Sequence, residues 1–256
     1  MNRSVGLVVP AYRPDEPRLE SYLAAVRTAI DPDVIRVELD DPKGDIADRL
    51  QSAGYEVNAV PYRRGKGAAI TSGFEAIETD VYVLADADGS TPATSLAAVI
   101  EPVVESRADL SVGSRRHAAS DVRSHQTVAR RFLGDGFAWL ARRILDAELS
   151  DYQCGAKAIS APAWEQVRQH LFEPGFAWDV ELVAMAGAFD LRIVEIPITW
   201  EDQPGSTVSP LRTTVELARV LFVARHRAKQ IRENRLHEMI ASRREDQTAL
   251  VDQECR

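Results

Sequence analysis

The feature that most constrains the fold is a regular alternation of short apolar runs and amphipathic stretches in the first half of the chain. The apolar runs occupy residues 5–10, 34–39, 55–62, 81–85 and 110–112. Segments with helical spacing lie between them, at residues 17–30, 46–53, 67–77 and 94–104. Strands that alternate with helices in this way form right-handed βαβ units. The sequence therefore predicts an α/β fold with a mostly parallel central sheet and helices on both faces.

The second half follows a different pattern. A polar, arginine-rich stretch at 114–125 is predicted as a long loop, and loops of that length in a compact domain are usually functional or disordered. The remaining elements are predicted in this order: helix 128–145, strand 151–160, helix 164–170, helix 178–189, strand 191–200, loop 204–210 and helix 211–244.

The last predicted helix is basic. Residues 210–244 carry nine Arg or Lys against three Glu, a local net charge of +6 in a chain whose net charge is −8. A basic helix with an apolar face is typical of segments that dock on a membrane surface or a partner. A packed terminal helix with a solvated basic face explains the pattern equally well. We therefore expect a main domain at 1–209, a basic amphipathic helix at 210–244 and a tail at 245–256.

Composition bounds the class of protein and its compartment. A chain of 256 residues with 45% hydrophobic and 27% charged residues can bury a large core, which excludes disorder as its main state. The acidic net charge is opposite in sign to a nucleic-acid-binding surface, so no nucleic acid partner is expected. Two cysteines, Cys154 and Cys255, favour a reducing compartment. With neither a secretory signal nor an apolar run of about 18 residues, we expect a cytoplasmic chain without a membrane span.

The strongest candidate for chemistry is the segment VYVLADADGST at residues 81–91. It places Asp86 and Asp88 directly after a buried-type strand, and open parallel sheets bind ligands beyond the carboxyl ends of their strands. Two carboxylates there can hold Mg²⁺ or Mn²⁺ and leave coordination positions for phosphate oxygens. The alternative is a turn in which the aspartates cap the backbone.

Two further motifs follow neighbouring strands. Asp40 and Asp41 end the second predicted strand, where a carboxylate could accept hydrogen bonds from a nucleobase or ribose, or could simply form a turn before Pro42. The segment RRGKG at 63–67 flanks Lys66 with glycines just before a helix, whose N-terminus could bind phosphate. It lacks the P-loop pattern, and Ile70 replaces the third glycine of a dinucleotide fingerprint, which disfavours a dehydrogenase.

Two later clusters are weaker candidates. The first is a group of five arginines, at positions 115, 116, 123, 130 and 131. A loop that carries them could close over a diphosphate, which arginine binds with two hydrogen bonds, or could be a solvated surface loop. Asp179 and Glu181 lie beside aromatic residues at the start of a predicted helix, where carboxylates also complement the helix dipole.

The order of these motifs resembles that of the family 2 glycosyltransferases with a GT-A fold. The chain contains, in sequence, VVPAY, LDD, RRGKG, DADGST, GSRR, DYQCGAKA, GFAWDVEL and VEIPITW. The pair DYQCGAKA and GFAWDVEL is most similar to the branch that makes polyprenyl (dolichyl) phosphate hexoses, which includes the dolichyl-phosphate glucosyltransferases and mannose synthases. The resemblance extends from about residue 5 to about residue 225, nearly the whole chain.

The resemblance implies an enzyme, a hexosyltransferase that moves a hexose with inversion from UDP-glucose or GDP-mannose to a polyprenyl or dolichyl phosphate. It also implies a peripheral site at the cytoplasmic face of a membrane. By motif matching the residues would divide as follows: Pro10, Tyr12, Asp40 and Lys66 for the donor; Asp86, Asp88 and Ser90 for Mg²⁺ or Mn²⁺; Arg115 and Arg130 for phosphates; Asp179 and Glu181 for the sugar and acceptor.

Two departures concern the nucleoside end. Arg13-Pro14 stands where the family often has Asn-Glu, and DDPK stands where DDGS is usual, so the preferred base stays open. Two other functions also stay open: a soluble GT-A glycosyltransferase with a non-lipid acceptor, and a non-catalytic protein that binds a nucleotide sugar.

Overall fold

The computed structural model describes residues 3–123, 128–201, 210–231 and 248–253, and the side chains of 128–135, 210–216 and 218 are not among those described. Its strands, in chain order, are β1 Val5–Tyr12, β2 Val34–Asp40, β3 Glu56–Val60, β4 Val81–Leu84, β5 Leu110–Ser114, β6 Asp121–Arg123, β7 Lys157–Ser160, β8 Ile193–Pro197 and β9 Thr199–Glu201. Its helices are α1 Glu16–Ile30, α2 Ile46–Ser52, α3 Lys66–Glu75, α4 Ala93–Val104, α5 Val128–Ile144, α6 Ala161–Val167, α7 Trp178–Ala188 and α8 Pro210–Ile231. Short 3-10 turns at Arg168–His170 and Leu250–Asp252 complete the described elements.

Seven strands form the central sheet in the order β3-β2-β1-β4-β7-β5-β8. All pairings are parallel except those of β7, which runs antiparallel to both β4 and β5. The order steps outward from β1 through β2 to β3, and then from β1 through β4 in the other direction. The predicted α/β fold with a mostly parallel sheet is confirmed.

Helices cover both faces of the sheet, as predicted. Successive side chains of a strand point to opposite faces, and in β1 Leu7 and Val9 join one apolar cluster while Val8 joins another. The first cluster includes the buried sides of α1, α2 and α4. The second includes those of α3, α5, α6, α7 and α8. The sheet is therefore the middle of three layers.

Helix α1 illustrates how local sequence fixes an element. The Asp15 carboxylate accepts a hydrogen bond from the backbone N–H of Arg18 (3.1 Å) and caps the first turn, and a proline stands near its start. Asp31 ends the helix in the left-handed conformation (φ 51°). Side-chain capping by an aspartate typically stabilises a helix by about 1 kcal/mol.

Three predicted elements differ from the observed ones. The predicted loop 114–125 contains β6, which pairs in parallel with β9 in a separate two-stranded sheet. The predicted strand 191–200 is accordingly divided into β8 and β9. Of the predicted strand 151–160 only Lys157–Ser160 pairs, because the backbone N–H groups of Asp151 and Gln153 donate to the carboxylates of Glu195 and Asp151 instead of to a neighbouring strand.

The basic helix is packed over the length that is described. Leu217, Leu221 and Ala224 of α8 are buried in the same apolar cluster as α7. Of its predicted extension, 232–244 lies outside the described residues. Within the described ranges, no helix combines the length and the apolar character needed to cross a membrane.

Candidate active site

The Asp86–Asp88 segment lies at the carboxyl end of β4, beside β1 in the middle of the sheet. Strand β4 is buried along its whole length, and the chain then turns at Gly89, whose φ of 69° suits glycine. One oxygen of Asp88 accepts a hydrogen bond from the backbone N–H of Ser90 (2.9 Å). The turn predicted as an alternative therefore exists.

Asp86 occupies space that only a glycine can leave open. A Cβ atom at Gly155 would lie 1.8 Å from an oxygen of the Asp86 carboxylate. The other oxygen is 2.9 Å from the Lys66 ammonium. With 41% of its side chain exposed, Asp86 is held on two sides and open on a third.

Behind Asp86 lies a chain of buried charges. The Lys66 ammonium also donates to one oxygen of Asp179 (2.7 Å), and the other oxygen of Asp179 accepts from the Lys157 ammonium (2.7 Å). Lys157 donates in addition to the backbone carbonyl of Cys154 (2.5 Å). Lys66, Asp179 and Lys157 are each at most 8% exposed. We call Asp86, Lys66, Asp179 and Lys157 the charge chain.

The pKa values of the titratable groups around Asp86 are shifted in different directions. Burial would lower the pKa of Lys66, but Asp179 and Asp86 outweigh it and raise that pKa, so the ammonium is charged at neutral pH. Burial would likewise raise the pKa of Asp86, yet Lys66, Lys157 and Arg115 lower it overall. The pKa of Asp88 is raised, first by desolvation among protein atoms and then by the charge of Asp86.

Arg115 is fixed by a second buried carboxylate. Its guanidinium makes two hydrogen bonds to Asp151, at 2.6 and 2.9 Å, and its backbone N–H makes a third at 3.1 Å. A fork of this kind is among the stronger and more rigid contacts between charged groups. Burial opposes ionisation of both groups, but their mutual attraction raises the pKa of Arg115 and lowers that of Asp151. Arg115 is therefore an oriented permanent cation near Asp86.

Asp40, predicted to hold the nucleoside, has internal partners. Its two oxygens accept from the Arg64 side chain (2.7 Å) and from the backbone N–H groups of Arg64 (2.7 Å) and Gly65 (3.1 Å). Arg64 also donates to the fully buried Glu38 (2.7 Å). These bonds tie the end of β2 to the loop that leads into α3.

Tyr12 and Pro10 stand at the carboxyl end of β1, on the same edge of the sheet. The Tyr12 ring is 38% exposed, and the guanidinium groups of Arg63 and Arg13 lie 4.5 and 5.3 Å from its centre. Pro10 is half-buried. An exposed aromatic ring flanked by arginines can stack on a flat ligand and hold anionic groups beside it.

The glycines around Lys66 serve a different purpose from the predicted one. A Cβ at Gly65 would lie 2.4 Å from the Pro174 carbonyl oxygen, and one at Gly67 would lie 2.3 Å from that of Glu173. The backbone N–H of Ala68 donates to the same Pro174 oxygen (3.2 Å). The start of α3 is thus covered by chain, and its glycines allow that approach, so the phosphate-binding role expected for this helix N-terminus is not supported by its packing.

Glu181 belongs to another network than Asp179. It is 1% exposed and accepts from the backbone N–H groups of Phe172 and Glu173 (both 2.8 Å) and from Arg227 of α8. Burial raises its pKa, although these donors oppose the change. Its described partners join α7, the 172–173 segment and α8.

Two predicted site residues remain, Ser90 and Arg130. Ser90 is buried, and its backbone carbonyl accepts from the backbone N–H of Glu201 (2.9 Å), which links the Asp88 turn to β9. Arg130 lies in the first turn of α5, and its side chain is outside the described set. The structure thus brings Lys66, Asp86 and Asp179 into direct contact, with Asp88 and Arg115 nearby.

Four charged residues of this edge were not singled out from the sequence: Glu38, Arg64, Asp151 and Lys157. Asp151 and Lys157 are both in DYQCGAKA, and the signal available was a lysine inside an apolar strand pattern in a chain with four lysines. Such a lysine is rarely fully buried unless it is paired. Its partner, Asp179, is 22 residues away along the chain.

The two aspartates fit a hard divalent cation. Asp86 and Asp88 supply carboxylate oxygens, burial and then the charge of Asp86 raise the pKa of Asp88, and Gly155 leaves space for the Asp86 carboxylate. Among the described residues no group of three or more His, Cys, Asp or Glu side chains is placed to hold a metal. A cation here would therefore take its other ligands from water or from phosphate oxygens, as Mg²⁺ commonly does.

Comparisons with known proteins point to one family. The sequence profile of a family described as Glycosyl transferase family 2 matches residues 7–166. The chain is 30% identical over 223 residues to the glycosyltransferase AglD of Haloferax volcanii. This alignment covers 81% of this chain and 35% of AglD. It is 28% identical over 188 residues to the dolichyl-phosphate beta-glucosyltransferase of Saccharomyces cerevisiae, covering 69% of this chain and 56% of that protein. The chain thus spans between about a third and about half of the length of these curated relatives.

Solved structures share the fold. The glucosyl-3-phosphoglycerate synthase of Mycobacterium tuberculosis, crystallised with Mn²⁺, UDP-glucose and phosphoglyceric acid, superposes with a TM-score of 0.65 at 17% identity. That match covers 87% of this chain and 79% of the synthase. The same synthase with UDP gives a TM-score of 0.64 at 18% identity, covering 87% of this chain and 80% of the synthase.

Proposed function

Because this chain belongs to glycosyl transferase family 2, we propose that it moves a hexose from a nucleotide sugar to a polyprenyl or dolichyl phosphate, with inversion at the sugar. The observation that carries the proposal is the meeting of two kinds of charge at one edge of the sheet. Asp86 and Asp88 present oxygens suited to a cation, and Lys66 and Arg115 present fixed positive charges suited to phosphates. The yeast relative is named for transfer to dolichyl phosphate.

The residues of this chain are suited to stabilise the charge of a leaving nucleoside diphosphate. A divalent cation, when bound by Asp86 and Asp88, supplies a Lewis acid for the diphosphate oxygens. Lys66 and Arg115 are oriented by their own buried carboxylates, so little reorganisation is needed as charge develops. The acceptor phosphate is already anionic near neutral pH, so its attack requires position more than a general base. Asp179 then serves to fix Lys66.

The donor's nucleoside is proposed to lie over the ends of β1 and β2. Tyr12 offers an exposed ring with Arg63 beside it, and Pro10 lies in the same strand. Asp40 holds the loop of Arg64 and Gly65 in place below this surface. UDP-glucose is the first donor to test, with GDP-mannose as the second.

The acceptor implies a peripheral contact with a membrane, at its cytoplasmic face. Large apolar side chains are exposed on two neighbouring helices, Trp139 of α5 and Phe222 of α8, each 55% exposed. The Arg143 guanidinium lies 5.1 Å from the centre of the Trp139 ring. Aromatic side chains next to basic ones are suited to the interface of an anionic bilayer. We propose that the unit 210–244 contributes to this contact while residues 1–209 form the catalytic domain.

The test is sugar transfer by the purified chain. UDP-glucose or GDP-mannose labelled in the sugar is incubated with Mn²⁺ and polyprenyl phosphate in vesicles, and the organic phase is analysed for a lipid-linked hexose. Label in the lipid product, dependent on acceptor, is expected. Donor binding without transfer to any acceptor would contradict the proposal and favour a non-catalytic nucleotide-sugar-binding protein.

A non-lipid acceptor is the second candidate. The Mycobacterium tuberculosis synthase that shares the fold was crystallised with phosphoglyceric acid, a small phosphorylated molecule. Parallel reactions with 3-phosphoglycerate in place of lipid separate the two. Transfer to 3-phosphoglycerate alone would replace the lipid acceptor by a soluble one and leave the site assignment unchanged.

A further inference from the structure

We propose that Lys66 is a resident counter-ion of Asp86 that opposes cation binding to the free site and favours it once a nucleoside diphosphate is present. The inference rests on the proposed function in one respect, namely that the cation and the diphosphate share this site. It assigns Asp179 and Lys157 as positioning residues for Lys66. The consequence is that cation and donor bind as a linked pair.

The geometry places Lys66 where it competes with a cation. Its ammonium is 2.9 Å from one oxygen of Asp86, and the open side of the same carboxylate faces outward. A dication that binds Asp86 from outside would therefore come close to a fixed positive charge. Repulsion between like charges is strong where water is scarce, and the Lys66 side chain is only 8% exposed.

Lys66 is not free to move away from the site. Asp179 also holds its ammonium at 2.7 Å, and Lys157 fixes the second oxygen of Asp179. The backbone at Lys66 is fixed as well, because Gly65 and Gly67 pack directly against the 173–174 segment. The ammonium therefore stays beside Asp86 whether or not a cation is present.

A bound diphosphate changes the effect of Lys66 on the cation from repulsion to indirect stabilisation. Its oxygens carry negative charge that can lie between the cation and Lys66, so each positive group then stabilises the same anion. Because linkage is reciprocal, a diphosphate that tightens cation binding must itself bind more tightly when the cation is present. The single carboxylate pair of Asp86 and Asp88 would thus be sufficient only in the ternary complex.

The experiment titrates Mn²⁺ into the full chain, with free Mn²⁺ read from its paramagnetic resonance signal, in the presence and absence of UDP. A protein-free titration of UDP corrects for the Mn²⁺ that UDP binds in solution. For the wild type we expect weak binding that UDP tightens by about tenfold or more. Lys66→Gln should bind Mn²⁺ without UDP at least about tenfold more tightly than the wild type, and UDP should then add less. Lys66→Arg, which keeps the charge, should behave as the wild type.

Lys43 provides a matched control. Its ammonium is also 2.9 Å from a carboxylate oxygen, that of Asp41, but its side chain is 66% exposed. Lys43→Gln should leave Mn²⁺ binding unchanged, which separates competition at Asp86 from a change in net charge. An unchanged affinity in a folded Lys66→Gln protein would overturn the proposal, as would equal gains in both variants.

Melting curves establish that Lys66→Gln is folded. If it is not folded, Asp179→Asn is used instead, because it leaves Asp86 as the anionic partner of Lys66 in the charge chain. This variant should bind Mn²⁺ more weakly than the wild type without UDP, and an unchanged affinity would also refute the role of Lys66. Sugar transfer measured in parallel separates the two ideas. Expected Mn²⁺ shifts without transfer would leave this inference standing and remove the proposed function, whereas transfer with unshifted Mn²⁺ binding would do the reverse.

Discussion

Two regions at the same edge of the sheet treat their charges in opposite ways. In the loop after β2, Asp41 is paired with Arg13 and Lys43, whose side chains are 52% and 66% exposed. At the start of α7, Asp179 is paired with Lys66 and Lys157, which are 8% and 2% exposed. Each aspartate has two cationic partners, and only the environment differs.

The difference in burial distinguishes ion pairs at the surface from ion pairs that fix the side chains of the candidate site. Exposed pairs are screened by water and salt, and they usually contribute little to stability. Buried pairs are costly to desolvate, and removing one partner leaves an uncompensated charge in the interior. The Asp179 group is therefore expected to be sensitive to substitution in both activity and folding, and the Asp41 group in neither.

The largest effect is expected where a cation is to be held. Asp88→Asn should lower transfer by about a thousandfold, because it removes a carboxylate proposed to hold the cation that stabilises the leaving group. Since burial, and after it the charge of Asp86, raises the pKa of Asp88, neutralising Asp88 should leave the melting temperature unchanged or higher. Transfer rate and thermal melting measure the two outcomes. Asp121→Asn, on the exposed strand β6, is the control, and full activity of Asp88→Asn would remove the aspartate from the mechanism.

A smaller effect should follow from moving Asp86 without changing it. In Gly155→Ala the added methyl would lie 1.8 Å from the Asp86 carboxylate, which must then shift. A displacement of about 1 Å can lower turnover by about a hundredfold. Gly136→Ala adds the same methyl where nothing lies within 4 Å, so its activity should be unchanged. Equal kinetics in the two variants would contradict the arrangement of Asp86 described above.

Asp151→Asn removes the carboxylate that orients Arg115. We expect it to lower activity by about tenfold to a hundredfold, the range seen for side chains that position a ligand-binding group. Asp151→Asn should also lower stability in a pH-dependent way. Burial would raise the pKa of Asp151, but Arg115 holds it below its ordinary value. A depressed pKa stabilises the folded state above the unfolded-state pKa of about 3.9, and the gain is lost as the pH falls below it.

Urea midpoints of the wild type and Asp151→Asn should therefore differ most at pH 7 and pH 5 and should converge below about pH 4. Asp109, paired with Arg192 on the surface, offers a comparison because its partner is 57% exposed. Asp109→Asn should leave transfer intact. A gap between wild type and Asp151→Asn that widens on acidification would show that the pair has the opposite linkage.

The smallest effect is expected at the exposed pair. Lys43→Met leaves Asp41 its contact with Arg13, and it removes an interaction that water already screens. Transfer should stay within about twofold of the wild type, as for most surface substitutions. Kinetics at low and at high salt measure this directly. A large loss of activity at either salt concentration would show that the loop after β2 is part of the site.

Sequence reasoning reached the architecture and part of the site. The βα alternation predicted the three-layer fold, and the position of Asp86 and Asp88 after a buried strand predicted where they lie. The prediction was less successful for the glycines beside Lys66, whose local pattern indicated a phosphate site. Gly65 and Gly67 are instead required by the 173–174 segment, which is distant in sequence.

The amino-acid sequence on its own determined the helices and strands that depend on neighbours within one turn or one strand, because periodicity and capping act locally. Tertiary structure alone decided that β7 inserts antiparallel between β4 and β5. That insertion places Lys157 beside Asp179, and the packing of α7 on α3 places Asp179 beside Lys66, 113 residues away along the chain. Burial then obliges these charges to pair, since a lone charge in the interior is too costly, and no local pattern reveals which partners will be within reach.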